Sequence, residues 1–255
     1  MKETIYTIPV SEAYSVDCEC PLCELEKKLE KEAVEYCLGA AMMEPDFRIT
    51  SNEKGYCRRH FTQMFESGSK LPLALVLDTH MGESINKLDK LKGKAASLTS
   101  EKKGLFKKSN AAEVANEVVD ILTQLTDSCV ICDKMSYTMS RYIIVLMDMY
   151  FEYSDFREKF DNSKGLCLKH FSLLADSAKK HLKGHQLNEF ISKLVNKELS
   201  ELSRIHDDVH KFTLKFDYRN KDMEWGTAKD APLRAIEKLE GYIHTDEDAS
   251  SNDSN

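Results

Sequence analysis

Two stretches of the chain carry one signature. Gly55-Tyr56-Cys57-Arg58-Arg59-His60-Phe61 and Gly165-Leu166-Cys167-Leu168-Lys169-His170-Phe171 share the pattern Gly-x-Cys-x-x-His-Phe. A Cys-x-x-Cys pair lies upstream of each: Cys20-Pro21-Leu22-Cys23 and Cys129-Val130-Ile131-Cys132. The Cys-x-x-Cys pairs are 109 positions apart and the Cys-x-x-His pairs 110 apart. Between them Asp46-Phe47-Arg48 returns as Asp155-Phe156-Arg157, again 109 positions on. One inserted residue therefore separates two copies of a common segment, and a fixed period of this kind marks an internal duplication.

Each copy supplies three thiols and one imidazole. The two-residue spacer lets both donors of a pair reach one ion, and two pairs complete a tetrahedron. The spacing predicts two ions per chain. One is held by Cys20, Cys23, Cys57 and His60, the other by Cys129, Cys132, Cys167 and His170. Four protein donors leave no open coordination position, so zinc in a structural role is the natural occupant. An iron–sulfur cluster uses similar donors, and sequence does not separate the two, although zinc is preferred. Disulfides fit poorly, because the fourth position of each copy is a histidine.

Flanking residues predict the scaffold. Leu22, Leu25, Leu29 and Ala33 recur at helical spacing among strong helix formers. Pro21 sits where a first-turn proline is tolerated, so a helix should begin beside the first knuckle. Another should begin near Cys57, with Phe61, Met64 and Phe65 buried. Met135, Met139, Tyr142, Ile143 and Leu146 mark the long helix of the second copy. Both ligand pairs then lie at helix N-termini, where the dipole and free N–H groups favour thiolates. Gly55 and Gly165 suit the tight turn delivering the chain to each site.

The expected fold is all-α: two pseudo-repeat helical units, each with a Cys3His site, plus a C-terminal helical region. The expected division is residues 1–92 for the first repeat, 93–110 for a linker, and 111–184 for the second repeat. Residues 185–244 form a long helix and an aromatic strap, and 245–255 a disordered acidic tail. Amphipathic helices are expected over Leu71–Leu91 and Val114–Leu125, and a long one over Leu187–Phe216. Lys92–Asn110, rich in Lys, Ser and Gly, reads as the connector. Glu3–Val10 alternates like a single strand.

Composition limits the functional classes. A net charge of −7 over 255 residues argues against a nucleic-acid binder. No apolar run reaches membrane-spanning length, and the first twenty residues lack a signal-peptide pattern. The expected compartment is the cytoplasm, where eight cysteines point to metal or redox chemistry more than disulfides. Cys-Pro-Leu-Cys as a catalytic dithiol would want a βαβ context. Cys18 and Cys37 read as a bystander and a core residue, and His80 as a satisfied boundary residue. His206 and His210 share a helix face but lack a third ligand, so they read as a solvated face.

Lys215–Pro232 (KFDYRNKDMEWGTAKDAP) lies outside the duplication and holds the single tryptophan, Trp225, with Phe216, Tyr218 and Arg219. It reads either as a packed strap, with Arg219 paired to a nearby aspartate, or as a ligand or partner site built on Tyr218, Arg219 and Trp225. The doubled CPLC/GYCRRHF and CVIC/GLCLKHF pattern, with the FDYRN-x-D-x-x-WG segment, resembles an uncharacterised bacterial domain-of-unknown-function family. The resemblance covers nearly the whole chain and implies a bacterial cytoplasmic protein, without a mechanism. The leading expectation is a non-enzymatic, zinc-stabilised protein that binds a protein or small-molecule partner. The rival is an enzyme or a redox- or metal-responsive protein using the metal centres or the Trp225 segment.

Overall fold

A computed structural model describes residues 5–100 and 110–243. Among these residues twelve α-helices follow in chain order: α1 (Thr7–Ala13), α2 (Pro21–Leu38), α3 (Pro45–Lys54), α4 (Arg58–Glu66), α5 (Lys70–Asp89), α6 (Lys92–Ser100), α7 (Ala111–Asp127), α8 (Val130–Glu152), α9 (Ser154–Asn162), α10 (Leu168–His181), α11 (Gly184–Lys215) and α12 (Ala231–Glu240). No strand occurs among the described residues, and none of their helices is long and apolar enough to cross a membrane. Of the alternating stretch Glu3–Val10, residues 3–4 lie outside the described residues, and the described part is not a strand: Thr7–Ala13 is helical, with Thr7, Val10 and Ala13 buried one turn apart. Lys92–Ser100 of the expected linker is also helical, whereas 101–109 and the acidic tail lie outside the described residues.

The chain divides into two compact units that cut across the repeats. Residues 30–136 form one; residues 1–29 and 137–255 form the other. The first turns of α2 belong to the larger unit and its remainder to the smaller, and α8 is divided in the opposite sense.

In the larger unit the core is aromatic. Tyr14 stacks on Phe160 at 5.7 Å, and Tyr150 meets the edges of Phe160 and Phe190, each at 5.1 Å. Ile143, Leu146, Leu174 and Leu194 of the same unit are fully buried as well. Helix α11 packs on α10 and α12. In the smaller unit α5 packs on α3 and α4, and Ala33, Cys37, Tyr56, Met64, Leu73 and Val76 form the core. Of the residues expected on the buried face of α4, Met64 is fully buried but Phe65 is 71% exposed. Adjacent positions of an α-helix point about 100° apart, so Met64 turns inward and its neighbour Phe65 outward. Helix α7 keeps its apolar stripe but buries no residue fully.

Candidate metal centres

The knuckles stand where the sequence places them, at helix N-termini. Cys57 is the N-cap of α4 and Cys167 that of α10, whose Cys167 sulfur accepts from the His170 N–H at 3.5 Å. Cys20 and Cys129 precede α2 and α8, and Cys23 and Cys132 lie in their first turns.

The grouping differs from the expected one. Cys20 and Cys23 meet Cys167 and His170, while Cys129 and Cys132 meet Cys57 and His60. Within each group the donor atoms lie within 4.8 Å of one another. Each candidate site therefore takes its Cys-x-x-Cys from one copy and its Cys-x-x-His from the other, which corrects the within-copy assignment. The reason is helix length. At 1.5 Å per residue α2 rises about 27 Å and α3 returns only about 15 Å, so the first copy cannot bring its own Cys-x-x-His back to Cys20. The return leaves His60 level with Glu30 instead, three turns along α2.

The first centre, in the larger unit, is fully enclosed: all four donors are buried. His170 Nδ1 lies 3.3 Å from Cys167 Sγ, 3.4 Å from Cys23 Sγ and 3.5 Å from Cys20 Sγ. Its other ring nitrogen faces the Glu26 carboxylate at 3.6 Å, and Lys169 pairs with the same carboxylate at 2.8 Å. The second centre repeats the scheme in the smaller unit. His60 Nδ1 lies 3.2 Å from Cys57 and Cys129 and 3.5 Å from Cys132, while its Nε2 is 2.9 Å from Glu30. Arg59 pairs with Glu30 in turn. A carboxylate behind each imidazole fixes its tautomer, leaving Nδ1 free to ligate. Here Cys57 and Cys132 are partly exposed.

Ionisation of the donors fits a cation. Hydrogen bonds from Cys20 and Cys23 hold the Cys167 thiol far below its ordinary range. The same contact, with Cys167 as acceptor, pushes Cys23 up to about 12, and burial first, then its thiol neighbours, raises Cys20. In the second centre burial opposes ionisation of Cys129, but His60 and the N–H groups of Cys132 and Cys57 outweigh it and bring the thiol to about 6. Burial and the Cys129 charge raise Cys132. Each cluster thus favours one thiolate at the expense of its neighbours, a conflict that a divalent cation removes.

The peptide turns into the sites are tightly enclosed. Gly55 has φ +67°, and a Cβ there would lie 2.4 Å from the His80 ring. His80 is itself anchored to the Asn52 carbonyl at 2.8 Å, a satisfied boundary position. Gly165 has φ +76°, and its Cβ would lie 2.7 Å from the Glu198 carboxylate. Glu198 accepts from the Leu166 N–H at 2.8 and 3.0 Å, and burial pushes its carboxyl up to about 7.

The clamps between knuckles escaped the sequence reading. The buried Lys238 ammonium of α12 donates to the carbonyls of Glu19 and Lys164, one from each knuckle of the first centre. Glu19, 4% exposed at its side chain, is ringed by Arg204, Arg234 and Lys238. In the second centre Ser128 donates directly to the Lys54 carbonyl at 2.5 Å, and the Val130 N–H to that of Gly55 at 3.1 Å. A lysine in an amphipathic C-terminal helix carries no local mark of such a role.

The Trp225 segment is half-open. Trp225 is partly buried against Phe212 at 5.4 Å and Phe216 at 6.3 Å, whereas Tyr218 is 81% exposed. Arg219 forms an exposed pair with Asp217 at 2.5 Å. His206 and His210 are exposed on α11, and Cys37 is buried in the core.

An all-helical protein with two clusters of three cysteines and one histidine, each able to hold a metal ion, is the class these features define. The chain belongs to a family of unknown function, DUF6062, whose model matches residues 1–246. No curated protein and no solved structure matches it.

Proposed function

We propose that both clusters hold zinc in a structural role, and that the protein is a cytoplasmic, non-enzymatic binding module of bacterial origin. The observation that carries this is the convergence of four protein donors at each cluster, with a carboxylate behind each histidine. Four protein ligands fill a tetrahedral site and leave none for substrate. Use of six of the eight cysteines as metal donors suits a reducing compartment. Contact with a protein or small-molecule partner falls on the half-open segment of Tyr218, Arg219 and Trp225, because aromatic and Arg side chains supply binding hot spots. Nucleic acid and membrane are not expected partners.

Elemental analysis with absorption spectroscopy on the full-length protein tests the metal reading. Two zinc ions in a colourless protein are expected. A brown protein with charge-transfer bands would overturn it in favour of iron–sulfur chemistry. Replacing Arg219 and Trp225 with Ala should abolish partner capture while leaving zinc content unchanged. A second, metal-responsive reading draws support from the partial exposure of two thiols in the second centre.

A further inference from the structure

The two centres hold equivalent thiol pairs in unequal surroundings. Cys23 and Cys167 of the first correspond, position for position, to Cys132 and Cys57 of the second. The sulfurs lie 3.6 Å apart in the first pair and 3.8 Å in the second. Over the first pair runs the chain leaving α12. Gly241, at φ +94°, comes so close that a Cβ there would lie 3.5 Å from Cys23 Sγ and 3.7 Å from Cys167 Sγ. The next residue, Tyr242, donates its N–H to Cys23. Both sulfurs of that pair are buried, whereas Cys57 and Cys132 are partly open to solvent although Cys129 and His60 beside them are buried.

From this asymmetry we infer that Cys57 and Cys132 form an oxidant-modification site through which the second centre alone releases its metal. The inference rests on the zinc reading above and names its regulation. The reactant class is a small two-electron oxidant such as hydrogen peroxide. One thiolate attacks a peroxide oxygen; the O–O bond breaks, leaving a sulfenic acid and hydroxide. The second thiolate attacks that sulfur; the S–S bond forms, the S–O bond breaks, and a second hydroxide departs. Two electrons pass from the sulfurs to the peroxide oxygens, and two protons from solvent complete two waters. An ion held at this site would then keep only His60 and Cys129 and would be released. Sulfur reactivity follows accessibility, so the covered pair of the first centre is spared.

The test uses the full-length, zinc-loaded protein treated with hydrogen peroxide, with released zinc read by a chromogenic chelator and disulfides by peptide mapping. One equivalent per chain should be released with a Cys57–Cys132 disulfide, roughly tenfold or more faster than the second equivalent. Release of both equivalents at one rate, a first disulfide between Cys23 and Cys167, or retention of both ions overturns the inference while leaving the zinc reading intact. A protein isolated without zinc overturns that underlying reading instead.

Discussion

The first and second centres are built from the same donors at the same spacings, yet one is enclosed and the other half-open. The duplication accounts for the likeness and the later helices for the difference. Residues from α11 and α12 — Arg204, Arg234 and Lys238 — converge on Glu19 beside Cys20. The second centre relies on short local contacts, Ser128 to Lys54 and Val130 to Gly55. Even the carboxylates behind the histidines differ in origin. Glu26 stands one turn beyond Cys23 on α2, whereas its counterpart in the second copy is Met135, and Glu30, from α2 again, serves His60. Ligand spacing marks a candidate metal centre, but its enclosure depends on what the rest of the chain packs against it.

Removing donors should produce the largest effect and tests the grouping itself. A Cys20→Ala, Cys167→Ala double variant should lose one zinc ion per chain, whereas Cys20→Ala with Cys57→Ala should lose both. Native mass spectrometry reads the stoichiometry, and the opposite pattern would restore the within-copy arrangement. A structural zinc contributes on the order of 10–16 kcal/mol in small peptides, comparable to a domain's whole stability. Helicity by circular dichroism should therefore fall in step with each ion lost.

Next come the clamps. Lys238→Met leaves the Glu19 and Lys164 carbonyls without their donor and removes a buried charge facing Glu19. A loss of about 3 kcal/mol in denaturant melts is expected, as for breaking a buried ionic contact. Ser128→Ala should cost about 1 kcal/mol, the scale of one hydrogen bond. Equal losses would erase the distinction drawn between the enclosed and the locally held centre.

The pH response should belong to the first centre. Glu198, raised to about 7 by burial, is favoured as the neutral acid in the folded protein. Its contribution is fully present below the unfolded value near 4.5 and is lost as pH rises through about 7. Relative to Glu198→Gln, the zinc-loaded wild-type protein should lose on the order of 2 kcal/mol between pH 5 and pH 8. A constant difference across that range would show that Glu198 stays ionised throughout.

The last comparison concerns the carboxylates behind the histidines. Loss of such a partner commonly lowers metal affinity roughly 10–100-fold. Glu30→Gln should fall near the upper end at the second centre, because Glu30 is 2.9 Å from its imidazole and its side chain is only 2% exposed. Glu26→Gln should weaken the first centre less, its carboxylate being 3.6 Å away and 14% exposed. Competition with a chelator of known affinity measures both, and the reverse order would sink the comparison.

The sequence by itself determined the eight candidate donors, their placement at helix N-termini and the helical class, because these depend on neighbours within about one turn. Spacing brings the two members of a Cys-x-x-Cys or Cys-x-x-His pair to one point, and periodicity marks where α2, α8 and α11 run. It did not determine which pair meets which. Every knuckle offers the same chemistry, and the choice between partners rests on how far α2 and α3 carry the chain, a sum over elements that no local pattern records. The roles of Lys238, Glu198 and Gly241 likewise arise only where distant segments close on one another. Tertiary structure alone decided the exchange of pairs between copies and the enclosure of one centre, because both depend on contacts between residues far apart in the chain.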